Sequence, residues 1–213
     1  MKVGIIGSGV VGQQLGLGFL RLGHEVKIGT RDTSKLNDWL KQAGSKASVA
    51  SFKDAAVFGE LIVIATFWAG TDNAINLARK ENFNGKVVID VTNPLDFSNG
   101  FPPKFGATVG NSAGEHIQKM LPGAKVVKAF NIINAYVMIN PKREEGDPDL
   151  FIAGNDQGAK DKVKSIAEQW GWKSVIDLGD ISQSLFLEAL TQIWVSYAAK
   201  TNQFDHAFKL LKK

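Results

Sequence analysis

Apolar positions along the chain follow two alternating rhythms. Short runs read as strands: Val3 to Ile6, Glu25 to Ile28, Ala47 to Ala50, Leu61 to Ala65, Lys86 to Val91, Lys125 to Phe130, Leu150 to Ala153 and Ser174 to Leu178. Between them, apolar residues recur three and four apart. Val10 to Leu22 carries Val11, Leu15, Phe19 and Leu22 on one helical face. Ser34 to Ala43, with Ser34 as its cap, Phe52 to Phe58, Asp72 to Lys80, Ser112 to Leu121, Asp156 to Trp170 and Ser182 to about Lys200 complete the predicted helices. Leu61 to Ala65 is apolar throughout, as a strand covered on both faces must be. Strands alternating with helices predict an α/β fold, doubly wound around a mainly parallel sheet, with a C-terminal helical extension. The natural division is residues 1–180 for the sheet domain and 181–213 for the extension. The irregular stretches are Asn99 to Asn111, rich in proline and glycine, and the polar loop Pro141 to Pro148.

Composition narrows the class. A chain of 213 residues, 44% apolar and 22% charged, is an ordinary globular domain with at most a small appendage. Cysteine is absent, which excludes a disulfide scaffold, a thiolate metal site and a thiol nucleophile, and fits a reducing compartment. The apolar run Leu61 to Ala69 is far shorter than the roughly 20 residues of a membrane span. The start of the chain is too short in apolar residues and too rich in glycine for a signal peptide, so a cytoplasmic protein is expected. The net charge of +4 suits a phosphorylated ligand, while the scattering of the lysines gives no nucleic-acid footprint. His24, His116 and His206 have no metal-ligand spacing.

The sharpest motif is Gly7-Ser8-Gly9-Val10-Val11-Gly12, directly after the first strand and opening the first helix. In such a turn the first glycine makes the bend, the second lets backbone approach a pyrophosphate, and the third allows close packing of helix and strand. The helix start adds free amides and the positive end of its dipole. This is the dinucleotide signature of a Rossmann-type fold. An NAD site usually ends its second strand on an acidic residue that binds the ribose hydroxyls. Here that position reads Gly29-Thr30-Arg31. Arg31 can neutralise a 2′-phosphate and stack on adenine, Thr30 can donate to the phosphate, and Lys35 adds charge one turn later. Asp32 argues the other way unless it caps the helix that follows. NADP(H) is therefore expected over NAD(H).

Ligands in these folds lie beyond the carboxyl ends of the strands. The turns there are Thr66-Phe67-Trp68-Ala69-Gly70, Thr92-Asn93-Pro94-Leu95 and Asn131-Ile132-Ile133-Asn134-Ala135. Thr66, Asn93 and Asn131 offer polar groups; Phe67, Trp68 and Phe130 offer apolar walls or belong to the core. No Ser-x3-Tyr-Lys arrangement supplies a proton donor, and Lys128 with Asn131 only faintly resembles a lysine/asparagine pair.

With these stretches in hand, the chain resembles the NADPH:F420 oxidoreductase family and the related NADPH-binding domain of the membrane metalloreductases over nearly its whole length. The carrying segments are Gly7 to Gly12, Gly29-Thr30-Arg31 with Lys35, Thr66-Phe67-Trp68, Asn93-Pro94 and Val126 to Asn131. The resemblance implies that Ser8 to Val11 hold the pyrophosphate and that Thr30, Arg31 and Lys35 hold the 2′-phosphate. It implies that Thr66, Gly70 and Asn93 flank ribose and nicotinamide, with the backbone near Ala135 at the carboxamide. It also implies direct hydride transfer to a stacked deazaflavin, which matches the missing proton donor. The chain departs from the family in a phosphate loop one residue shorter than in archaeal members. Phe67 stands where proline is usual, and Gly70 and Asn131 stand where histidine can occur.

The reading is thus an NADP(H)-dependent oxidoreductase passing hydride between NADPH and a flat, small-molecule acceptor, coenzyme F420 or a flavin. The rivals are a reductase of a small carbonyl or imine assisted by Lys128 or Asn131, and an NADP(H)-binding redox sensor without catalysis. Leu187, Leu190, Ile193, Trp194 and Tyr197 form an apolar stripe on the last helix, either core or a homodimer interface.

Overall fold

A computed structural model describes residues 1–211; of the basic end Lys209 to Lys213, Lys212 and Lys213 lie outside the described residues. The chain runs through β1 (Lys2–Ile6), α1 (Val10–Arg21), β2 (Glu25–Gly29), α2 (Asn37–Ala43), β3 (Ala47–Ala50), α3 (Phe52–Phe58), β4 (Leu61–Ile64), α4 (Thr71–Ala78) and β5 (Val87–Asp90). It continues through β6 (Leu95–Asp96), β7 (Lys104–Phe105), α5 (Ala113–Met120), β8 (Lys125–Lys128), β9 (Asp149–Gly154), α6 (Gln157–Gln169), β10 (Ser174–Asp177) and α7 (Ser184–Thr201).

One eight-stranded sheet has the order β10-β9-β8-β5-β4-β1-β2-β3. Every neighbouring pair is parallel except β8 with β9, where Val127 faces Gly154 and Lys128 faces Ala153. The chain therefore reverses once, through the loop after β8. β6 and β7 form a separate two-stranded antiparallel hairpin within the stretch expected to be irregular.

The core lies in two layers. Leu15, Phe19, Trp39, Val163 and Trp170 cover one sheet face together with Val3, Ile5, Val26 and Val63. Ala55, Ala74, Ile75 and Ile117 cover the other with Ile6, Ile62, Ile64, Val88 and Val126. All four residues of β4 are completely buried. Each such side chain gains roughly 1.5–3 kcal/mol on burial, so the central strand is fixed by its apolar run.

Two predicted boundaries move for identifiable reasons. Ser34 is not the cap. Asp32 is: its carboxylate accepts from the Ser34 amide at 3.1 Å, a 3-10 turn spans Thr33–Leu36, and the α-helix begins only at Asn37. β8 ends at Lys128 rather than Phe130, because Phe130 takes a left-handed backbone (φ 59°). That conformation costs a side-chain-bearing residue roughly 1–2 kcal/mol. The burial of its ring against Trp170, 5.3 Å between centroids, offsets the cost. Phe130 is thus a core aromatic, not a wall of the ligand cleft. After α7, the left-handed Asn202 turns the chain back. Phe208 then accepts from the Asp149 amide, and Trp194 stacks on His206.

Candidate functional site

β1, β2 and β4 end side by side at the carboxyl edge of the sheet. Gly7 turns the chain out of β1 with φ 127°, a conformation that strongly favours glycine. A Cβ on Gly12 would fall 2.2 Å from the Gly7 carbonyl oxygen, so the loop can fold onto the helix only with glycine there. Gly9 differs: a Cβ there would meet nothing within 4 Å, because the residue borders open space. No side chain caps α1 and no acidic residue sits in its first turn. The amides of the helix start are therefore available to an anion. Gln13 donates to the Ser8 carbonyl at 2.8 Å and braces the loop from the helix.

Gly7, Ser8, Gly9, Thr30, Arg31, Lys35, Thr66, Phe67 and Gly70 line one cleft of about 260 Å³, joined by Phe52 and Asn73. The Ser8 and Thr30 hydroxyls meet at 3.0 Å and tie the phosphate loop to the end of β2. Arg31 and Lys35 are exposed. The Asp32 carboxylate is engaged by the Ser34 hydroxyl (2.6 Å) and amide, which hold its pKa below the ordinary carboxylate value. Only Oδ1 is taken by Ser34; Oδ2 lies 4.0 Å from the Lys35 ammonium, and Asp32 lines the cleft as well, so two cations face one carboxylate at this end. Of the remaining predicted residues, Val10 is exposed, and Val11 half-buried, in the first turn of α1. Trp68 turns away from the cleft, its ring edge-on to His116 at 5.6 Å.

Further along the edge, past β4, stand the ends of β5 and β8. Asn131 donates to Asn93 Oδ1 at 3.0 Å and to the Leu187 carbonyl at 3.1 Å. Asn93 returns a bond to the Asn131 carbonyl at 2.9 Å. Thr191 of α7 completes the cluster, its hydroxyl 2.9 Å from Asn93 Oδ1. Thr191 was invisible to sequence reading, since 98 residues separate it from Asn93. Pro94 is buried, with its carbonyl accepting from Gly106. Ala135 is half-buried in a turn that Asn134 pins to the Phe204 carbonyl.

Lys128 has no exposed surface. Its ammonium bonds Asp90 (2.7 Å), Glu188 (2.9 Å) and the Thr92 carbonyl (2.8 Å). Burial opposes its charge, and the two carboxylates outweigh that and raise its pKa above the ordinary lysine value. It cannot reach a substrate, so the carbonyl or imine reaction assisted by Lys128 has no geometric basis. Among the described residues no group of three or more histidines and carboxylates could hold a metal ion, and no helix is long and apolar enough to cross a membrane.

Comparison with known proteins identifies the family. Residues 2–94 match the family model described as NADP oxidoreductase, coenzyme F420-dependent. The F420-dependent NADP reductase of Methanothermobacter marburgensis is 30% identical over 211 residues, covering 94% of this chain and 93% of that protein. A crystal structure from Arthrobacter sp. fb24, provisionally assigned as an F420-dependent NADP-reductase, superposes over 100% of both chains with a TM-score of 0.94 and 38% identity. Metalloreductase STEAP3 of Rattus norvegicus is 29% identical over 192 residues, 89% of this chain but 36% of that longer protein. The chain belongs to the F420-dependent NADP reductase family and is an NADP-dependent oxidoreductase.

Proposed function

We propose that the protein transfers hydride between NADPH and a flat deazaflavin acceptor, coenzyme F420, with a flavin as the next candidate. The observation that carries the proposal is the chemistry of the polar groups clustered at the ends of β5 and β8. They are two amides and a hydroxyl, Asn93, Asn131 and Thr191, and the lysine beneath them is buried and fully paired. None of the three exchanges a proton in the working pH range. Such a site suits a reaction that needs positioning rather than a side-chain acid or base.

The residues fit the nucleotide. The amides from Ser8 to Val11, opposite the open space at Gly9, would hold the pyrophosphate. Thr30, Arg31 and Lys35 would hold the 2′-phosphate, with Asp32 held by Ser34 through one oxygen and drawing on Lys35 with the other. Thr66 and Gly70 would border the ribose, and Asn93 and Asn131 would orient the nicotinamide. When bound, the nicotinamide supplies the hydride, and the proton that completes reduction of the acceptor comes from solvent. The exposed rings of Phe67 and Phe97, 5.3 Å apart, give a planar acceptor an apolar wall at the mouth.

Residues 181–213 serve as an extension whose helix delivers Thr191. Phe186, Ile193 and Tyr197 on its outer side are exposed, and we assign that side to a homodimer contact. The direct test follows NADPH oxidation anaerobically with F420, with FMN or FAD, and with a cyclic imine. Turnover is expected with F420 and slower or none with the others. Turnover on the imine alone, or on no acceptor at all, would overturn the reading.

A further inference from the structure

The amide–hydroxyl cluster rests on a second, ionic cluster built from the same three elements. Asp90, Lys128 and Glu188 lie three residues before Asn93, Asn131 and Thr191 respectively. Asp90 and Lys128 are register partners at the ends of β5 and β8. Glu188 stands one turn before Thr191 on α7, on the same helical face.

We propose that the Asp90–Lys128–Glu188 cluster positions Asn93, Asn131 and Thr191 against the nicotinamide, coupling α7 to the redox end of the site. This inference rests on reading the cleft as the NADP site. Several bonds carry it. Asp90 Oδ1 accepts from both the amide (2.8 Å) and the hydroxyl (2.7 Å) of Thr92, the residue before Asn93. Lys128 donates to the Thr92 carbonyl at 2.8 Å, so the peptide leading into Asn93 is held from both sides. Glu188 joins Lys128 with one oxygen, and its carboxylate also accepts from the Ala113 and Gly114 amides at the start of α5, at 2.9 and 3.0 Å. α7 therefore cannot slide without breaking charged bonds, and Thr191 is fixed with it.

Buried ion pairs are seldom retained for stability alone, because apolar residues of the same volume would serve as well. All three ionic side chains are completely buried, in a layer otherwise built of Val88, Val126 and Ile117. The layer above them keeps an unsatisfied acceptor: Asn131 Oδ1 is buried and has no partner within the chain. An amide free to relax would turn to satisfy both of its ends. Here both hydrogens of Asn131 are committed to Asn93, Leu187 and Thr191, so its side chain is held in one orientation although Oδ1 goes unpaired.

The test compares two ligands by calorimetry: NADP⁺, and 2′-phospho-ADP-ribose, which lacks the nicotinamide ring. The variants are Lys128→Met and, should that chain fail to fold, the near-isosteric Glu188→Gln. Wild type is expected to prefer NADP⁺ over the fragment. In the variant the fragment should bind as before, while NADP⁺ weakens roughly five- to tenfold, the worth of one oriented hydrogen bond. A parallel loss for both ligands would make the cluster merely structural and overturn the proposal. So would an unchanged ratio, or a wild type that does not distinguish the two ligands. Because no acceptor takes part, failure here is separate from failure of the F420 reading.

Discussion

At the residue scale, we assign the choice of nucleotide to Arg31. It stands where an NAD site places an acid, and the nearest acid, Asp32, is held by Ser34. A guanidinium–phosphate contact is worth about 1.5–3 kcal/mol. Arg31→Ala should therefore weaken NADPH binding by about 10- to 100-fold and leave NADH binding unchanged. Calorimetric titration of both nucleotides checks it, and equal losses for NADPH and NADH would refute the assignment of this residue to the 2′-phosphate. The residues that form the cradle were legible because each answers a local demand. Gly7 answers a positive φ, Gly12 a carbonyl 2.2 Å from where its Cβ would stand, and Thr30 a strand end. Lys128 was not legible: its partners, Asp90 and Glu188, are 38 and 60 positions away in sequence, and nothing local marks a lysine as buried.

At the scale of elements, the strands and helices followed from apolar rhythm because both faces of the sheet must be covered. What escaped the rhythm was short or non-local. β6 and β7 are two residues each, too short to show any period. The antiparallel pairing of β9 with β8 depends on the direction of a long loop, not on the residues of either strand. The stripe on α7 divides on inspection. Leu187, Val195 and Ala198 face inward with Glu188 and Thr191, while Phe186, Ile193 and Tyr197 face out. A helix that buries one side and still exposes three large apolar residues on another has surface left for a partner. Ile193→Glu should convert a dimer to a monomer in analytical ultracentrifugation while leaving the melting temperature of the subunit nearly unchanged. A wild-type chain that sediments as a monomer at micromolar concentration would remove the dimer assignment.

At the scale of the whole molecule, carboxylates are set at turns throughout the fold. Asp32 precedes α2, Asp96 opens the β6–β7 hairpin, Asp156 caps α6 and Asp180 precedes α7. Serine hydroxyls and amides hold Asp32, Asp96 and Asp180 below the ordinary carboxylate pKa, and the Ala159 amide with Lys125 does the same for Asp156. A group with a depressed folded pKa stays ionised in the folded state at pH values where the unfolded chain has already taken up a proton. The unfolded state then binds more protons, so stability falls as pH falls. The contribution is complete above the ordinary value of about 4 and is lost as pH drops through the lowered folded values. Since each carboxylate secures a different turn, acid should weaken the fold at many joints together. Thermal melts between pH 6 and pH 2.5 should show a plateau and then a progressive decline below about pH 4. Asp156→Asn should shift the plateau down and make the decline shallower, because one depressed carboxylate is gone. A melting temperature that stays level to the acid limit would mean that these caps contribute nothing in solution.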